Sequence, residues 1–334
     1  MKDEGSHTRT IVRSTGSTLD WILKKIEHLV YASEKITKLN NIHVDGHAWS
    51  VVKLLLIGSW SYVYTSIISK YFREYWFVDL LAGSGTIRVK ETGDIIVGSP
   101  FVAHFFAKKP YSCYIFNELD YNRYVALKRR AQHILGNSVL VVNNDCNKYA
   151  ALVSKNARRK NAHFLVFLDN EGLDARWRTV EPLLGANCDI IINFPTSSMS
   201  RVLKQSPQTL DEFFGDNSWR RADTRECLLK IYLSKLEKTF RTLRSKEPYV
   251  SHIRVGSRRF YYDIILICKR GPYVQAWEYL KHRLNWKDPR IVKYSLDFLM
   301  GRAKRLDWFL DLSRETERVV HQMSNQIKKL DEFL

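Results

Sequence analysis

Between residues 75 and 270 the chain repeats one unit, a short apolar run that stops in polar or glycine residues before a helical stretch begins. The runs are WFVDLL, SCYIFNE, SVLVVNND, HFLVFLDN and CDIIINFP. They are too brief for core helices and apolar on both faces, as strands covered on both sides must be. Five of them alternating with helical stretches predict a parallel, doubly wound α/β sheet. Two more runs, YVSHIRVG and FYYDIILICKR, are separated only by Gly256-Ser257-Arg258-Arg259. That gap is too short for a crossover helix, so the pair closes the sheet as an antiparallel hairpin.

The flanks have helical periodicity. From Ser14 to Tyr71 apolar residues recur at Leu19, Ile22, Ile26 and Leu29, then at Val51, Leu54, Leu55 and Tyr62, and Ser17-Thr18-Leu19-Asp20 offers a helix start. Helix returns after Gly271. The expected organisation is an N-terminal helical extension over 1–74, the sheet-bearing core over 75–270, and a C-terminal helical region over 271–334.

Open α/β sheets bind ligands at the carboxyl ends of their strands, so the strand ends carry the chemistry. The first ends in Asp79-Leu80-Leu81-Ala82-Gly83-Ser84-Gly85. Glycines there let the backbone turn tightly against a ligand, and Asp79 can meet an amine. Asp79, Ala82, Gly83, Ser84 and Gly85 are therefore candidate binding residues. The run is neither the dehydrogenase GxGxxG fingerprint nor a P-loop, since no Gly-Lys-Ser/Thr follows. Glu118, with Asp120 behind it, ends the second strand where a carboxylate receives a ribose diol. Asp145 ends the third, either reading an adenine amino group or capping the next helix. The fourth ends in Asp169-Asn170-Glu171-Gly172 and the fifth in Asn193-Phe194-Pro195. Asp169, Glu171 and Asn193 are the candidate acceptor-side residues, with Asp169 placed to accept a proton or hydrogen bond from a nucleophile. Phe194 is either a core residue or a stacking ring.

Composition narrows the partners. Lys and Arg number 53 against 35 Asp and Glu, a net +18, which favours a polyanionic partner such as nucleic acid. Positions 201–260 concentrate the excess, and Arg201, Arg220, Arg221, Arg258 and Arg259 are the candidate phosphate contacts. Phe213, Phe214, Trp219, Phe260 and Tyr261 are interleaved there, mostly as core residues. Five scattered cysteines form no disulfide or zinc spacing and belong in the core. Ten dispersed histidines form no HExxH, and no Gly-x-Ser-x-Gly elbow exists, so metal-dependent and hydrolase chemistries have no motif. No membrane span and no secretion signal is read from the sequence, and a cytoplasmic location is expected.

With these motifs in order, the chain resembles the three-Cys-motif partner (TcmP) family. The resemblance runs through Thr18–Ile26, His47–Lys53, FVDLLAGSG, Val97–Ala103, Phe116–Asp120, FLDNEG, and Asn193-Phe194-Pro195 with Arg201 after it, covering about residues 15 to 270. It implies a Rossmann-like class I methyltransferase fold with S-adenosylmethionine as cofactor and a nucleic-acid acceptor, RNA ahead of DNA. It also implies a separate three-Cys-motif protein as partner. One position departs from the family. Its members tend to carry Asp-Pro-Tyr-Gly after the fourth strand, where this chain has Asp169-Asn170-Glu171-Gly172. The proline's rigidity and the stacking ring are missing, which leaves open a nucleic-acid-binding or partner subunit that performs no transfer.

Overall fold

A computed structural model of the chain describes residues 7–170, 172–199, 206–257, 260–271 and 273–303, with side chains from residue 21 onward except at Ser257. Seven strands form the main sheet: β2 (Glu74–Asp79), β5 (Cys113–Asn117), β6 (Val139–Val142), β7 (Ala162–Leu168), β8 (Cys188–Phe194), β9 (Pro248–Ser257) and β10 (Phe260–Lys269). They lie in the order β6-β5-β2-β7-β8-β10-β9. The first five are mutually parallel, while β10 runs antiparallel to both β8 and β9. Five parallel strands with a reversed hairpin at one edge make this the Rossmann-like class I methyltransferase fold, as the run pattern predicts. The all-apolar runs are explained by cover on both faces: β7 and β8 are buried from end to end.

One face is covered by α1 (His7–Ile36), α2 (Ser50–Ile68), α3 (Ser99–Phe106), α4 (Tyr121–Leu135), α9 (Val274–Arg283) and α10 (Pro289–Leu299). The other is covered by α5 (Cys146–Ala157), α6 (Trp177–Leu184), α7 (Pro207–Phe214) and α8 (Arg225–Arg244). The flanking helices thus pack into the same core as the sheet. Trp60 of α2 meets Trp277 of α9 edge to face at 5.3 Å. Helix α2 is long and apolar enough to cross a membrane, contrary to the sequence reading, yet it is mostly buried in this core.

Two local expectations are corrected. Ser17-Thr18-Leu19-Asp20 lies inside α1, whose described part already begins at His7, so no helix starts there. The stretch 14–71 is not continuously helical either. Between α1 and α2 runs β1 (Val44–Gly46), which pairs in parallel with β3 (Thr86–Val89), itself antiparallel to β4 (Ile95–Val97). This second, three-stranded sheet joins β1 to the β3–β4 pair, which lies between β2 and α3. Its strands have three or four residues, too few for a periodic signal.

Candidate active site

The carboxyl ends of β2, β5, β6 and β7 open onto a cleft of about 670 Å³, walled on the far side by Val44, Asp45 and Gly46 of the small sheet. The glycine turn after β2 borders it at Gly83, which takes a left-handed φ of +59°. A side chain there would strike Val44 at 2.8 Å, so glycine serves both the turn and the close approach of β1. Ala82 also faces the cleft. Ser84 and Gly85 turn inward. The Ser84 hydroxyl donates to the Thr86 carbonyl at 3.1 Å, and the missing side chain of Gly85 makes room for the Phe101 ring.

Arg130 fixes this turn from below. Fully buried in α4, it donates to the carbonyls of Ser84 at 2.7 Å, Ile42 at 2.9 Å and Asn40 at 2.6 Å. One guanidinium therefore ties the glycine turn to the segment leading into β1. Burial brings it down to about 10, still charged at neutral pH.

Asp79 is buried beneath the turn. It accepts from the Ser99 hydroxyl at 2.7 Å and from the Leu81 amide at 3.2 Å. Burial pushes its carboxyl up to about 7 against the lowering effect of the Ser99 bond, and Asp169 nearby raises it further. Ser99 starts α3 within the Val97–Ala103 motif, which explains the motif's hydroxyl.

Glu118 faces the cleft and accepts from the Asp120 amide at 2.8 Å. Burial holds its carboxyl above the ordinary range although that bond and Arg123 pull it down. Asp120 caps α4, accepting from the Arg123 amide. Asp145 lines the cleft and caps α5. Burial raises its carboxyl, but hydrogen bonds from the Asn147 amide and side chain outweigh that and leave it below the usual range.

The acceptor-side residues meet across neighbouring strands. Leu168 of β7 is in register with Ile192 of β8, which brings Asp169 beside Asn193. Asn193 Nδ2 donates to Asp169 Oδ1 at 2.8 Å, while Lys53 Nζ reaches Asp169 Oδ2 at 2.5 Å. The Lys53 side chain is 2% exposed and that of Asp169 14%, so this is a nearly dry ion pair at the cleft floor. Asn193 Oδ1 and Asn117 Oδ1 are buried with no hydrogen-bond partner among the described residues. Such atoms are costly unless something enters to satisfy them.

Asn170 ties the chain after β7 to the segment before α6. Its side chain accepts from the Ala175 amide at 3.0 Å and donates to the Ala175 carbonyl at 3.3 Å, closing the 170–175 loop on itself. Glu171 lies outside the described residues, as do Arg201, Arg258 and Arg259. Arg220 and Arg221 are described but sit away from the cleft, on the helical turn Ser218–Arg221, where Arg220 pairs with Asp211 at 3.1 Å. Phe194, Phe213, Phe214 and Trp219 are core residues; Phe213 stacks on Tyr232.

Sequence reasoning passed over Lys53, Ser99, Asn117 and Arg130. The signal for Lys53 was present: it is the lone charge in SVVKLLLIGSW, and a charge in a fully apolar helix needs a buried partner.

No protein-family model matches the chain, and no curated protein matches it. Among solved structures it is similar to a Legionella pneumophila protein of the DUF519 family model, at 9% identity over 72% of this chain and 94% of that one, TM-score 0.44. It is similar to Trm1 from Pyrococcus horikoshii, solved with S-adenosyl-L-methionine, at 12% identity over 68% and 57%, TM-score 0.43. It is also similar to the METTL16 MTase domain, at 11% identity over 66% and 68%, TM-score 0.39. At these scores none of the three adds to what the strand order establishes.

Proposed function

We propose that the chain is an S-adenosylmethionine-dependent methyltransferase acting on nucleic acid, RNA in the first instance. The reading rests on one convergence: Gly83, Glu118 and Asp145, from three successive strand ends, share a cleft with Asp169, which Lys53 and Asn193 hold from behind. The cleft suits the cofactor. Seven carboxylates line it against two guanidiniums, Arg123 and Arg176, a field that favours a sulfonium and an α-amino group. Glu118 would receive the ribose hydroxyls and Asp145 the adenine amino group, and the orphaned Asn117 oxygen has room for a donor. The cofactor supplies an already electrophilic methyl group.

What remains for this chain's own side chains is alignment and proton handling. Asp169 would accept the hydrogen bond or proton of the attacking group. Lys53 and Asn193 hold that carboxylate in one orientation. Several of the motifs that resemble the TcmP family, at Ser50, Leu81–Gly83, Gly98-Ser99, Asn117–Asp120 and Asp169, border this cleft, and a three-Cys-motif protein as partner is proposed on that resemblance alone. A subunit without transfer activity is the rival reading; the Asn170–Ala175 bonds and the Lys53–Asp169–Asn193 triad favour transfer.

Calorimetry with S-adenosylmethionine and S-adenosylhomocysteine, followed by methyl transfer to RNA and DNA pools, tests the proposal. Saturable binding of both compounds is expected. Failure of both to bind overturns the enzyme reading.

A further inference from the structure

One set of exposed cations gathers at the edge of the main sheet opposite the cleft, where the parallel strands begin. The loop entering β2 exposes Lys70 and Arg73, and the loop entering β5 exposes Lys108 and Lys109. The turn before β7 exposes Arg158, Arg159 and Lys160. At the hairpin, Lys246 precedes β9 while Lys269 and Arg270 finish β10, all exposed. Ten exposed cations therefore share this edge with two exposed carboxylates among the described residues of its loops. Both carboxylates are engaged: Glu74 with Arg159 at 2.9 Å, and Glu247 with Arg241 at 3.2 Å.

We propose that this edge seats the sugar–phosphate backbone of a nucleic acid, so that one part of a folded substrate is held here while another part reaches the cleft. The proposal deepens the nucleic-acid reading above and rests on it for the identity of the polyanion. The sheet order places the cation-bearing loops from β5 across to β9, five inter-strand steps. At ~4.8 Å per step that is a track of about 24 Å. One strand of a duplex presents a phosphate about every 3.4 Å, so about seven phosphates span the track, close to the net excess of cations.

Tyr71, 75% exposed, stands among these loops and offers a ring for stacking, and the Arg159 guanidinium lies over the Trp76 ring at 4.8 Å. Tyr71 is also the one large exposed hydrophobic among the loops' described residues. The edge thus presents charge with almost no insertable apolar surface, which favours a phosphodiester backbone over a lipid bilayer. The cleft has the opposite sign, so a polyanion is drawn first to the basic edge.

The test uses the full chain without cofactor, a fluorescent RNA stem-loop, and binding isotherms from 50 to 200 mM salt. The quadruple variant Lys108→Gln, Lys109→Gln, Arg158→Gln, Lys160→Gln alters exposed residues remote from the cleft. Four lost phosphate contacts should lower the slope of log affinity against log salt by about 3, and binding at low salt should weaken at least about tenfold. Exchange of the same lysines for arginine should preserve binding, and S-adenosylmethionine affinity should be unchanged, showing an intact fold. Equal RNA affinity and slope in wild type and the glutamine variant overturns the proposal while leaving methyl transfer standing. Binding of anionic vesicles in preference to RNA, or a variant effect confined to self-association, also overturns it. Edge-dependent RNA binding without any cofactor binding removes the enzyme reading and keeps this one.

Discussion

Lys53 and Asp169, 116 positions apart, meet at 2.5 Å where helix α2 passes under the end of β7. Breaking a buried ion pair leaves the surviving charge without a partner in a poor solvent for it. Lys53→Met keeps the stem and removes the cation. It should lower unfolding free energy by about 3 kcal/mol in urea titrations. Turnover should drop at least about a hundredfold, with cofactor affinity nearly unchanged. Unaltered turnover would place the pair outside the chemistry.

The Asn170 side chain closes its loop through the two Ala175 backbone bonds, both buried. Asn170→Ala should cost about 1–3 kcal/mol. Because the loop follows Asp169 directly, the KM for the nucleic-acid acceptor should rise while calorimetric affinity for the cofactor stays. A variant as stable as wild type would show that the loop is held by other contacts.

Arg130 is the clamp on the glycine turn. Arg130→Met removes charged hydrogen bonds to three carbonyls and should cost about 3 kcal/mol or more. Cofactor affinity should weaken by about tenfold or more, since Gly83 is positioned through its neighbour Ser84. Thermal unfolding and calorimetry on one preparation check both, and full retention of affinity would show the turn to be self-supporting.

Asp79 gives a pH signature. Its folded carboxyl titrates near 7 and its unfolded one near 3.8. Between those values the folded state holds a proton that the unfolded state has released. The Asp79 contribution is therefore largest below pH 3.8, declines as pH rises toward 7, and is flat above. Asp79→Asn cannot titrate. The stability of wild type relative to this variant, measured by denaturant midpoints, should decrease from pH 4 to pH 7. A difference that stays constant across that window would mean the carboxyl is ionised throughout.

The main sheet was legible because both its faces are covered, so each strand appears as an unbroken apolar run and its polar end stands out. Asp79, Glu118, Asp145, Asp169 and Asn193 were found for that reason. The small sheet was not, since Val44–Gly46 makes its pairing with Thr86–Val89 through backbone bonds that almost any residue can supply. Lys53 escaped because its partner is distant in sequence and helical periodicity reports faces, not contacts. The basic excess of 201–260 is a count along the chain, and charge per window says nothing of which loops the topology gathers at one edge. Lys108 and Arg158 share that edge although they enter different strands, β5 and β7.

Helix α2 has no polar side. Trp60 gains its Trp277 neighbour only from a segment more than two hundred positions later. At about 5–20 residues per second, a ribosome leaves α2 waiting for roughly 10–40 s before that cover emerges. Until then that part of α2 lacks its last cover, while α1, already made, and α3, about fifty residues behind, can cover the rest. Docking of α3 on α2 early in synthesis would thus shorten the exposure of this apolar helix.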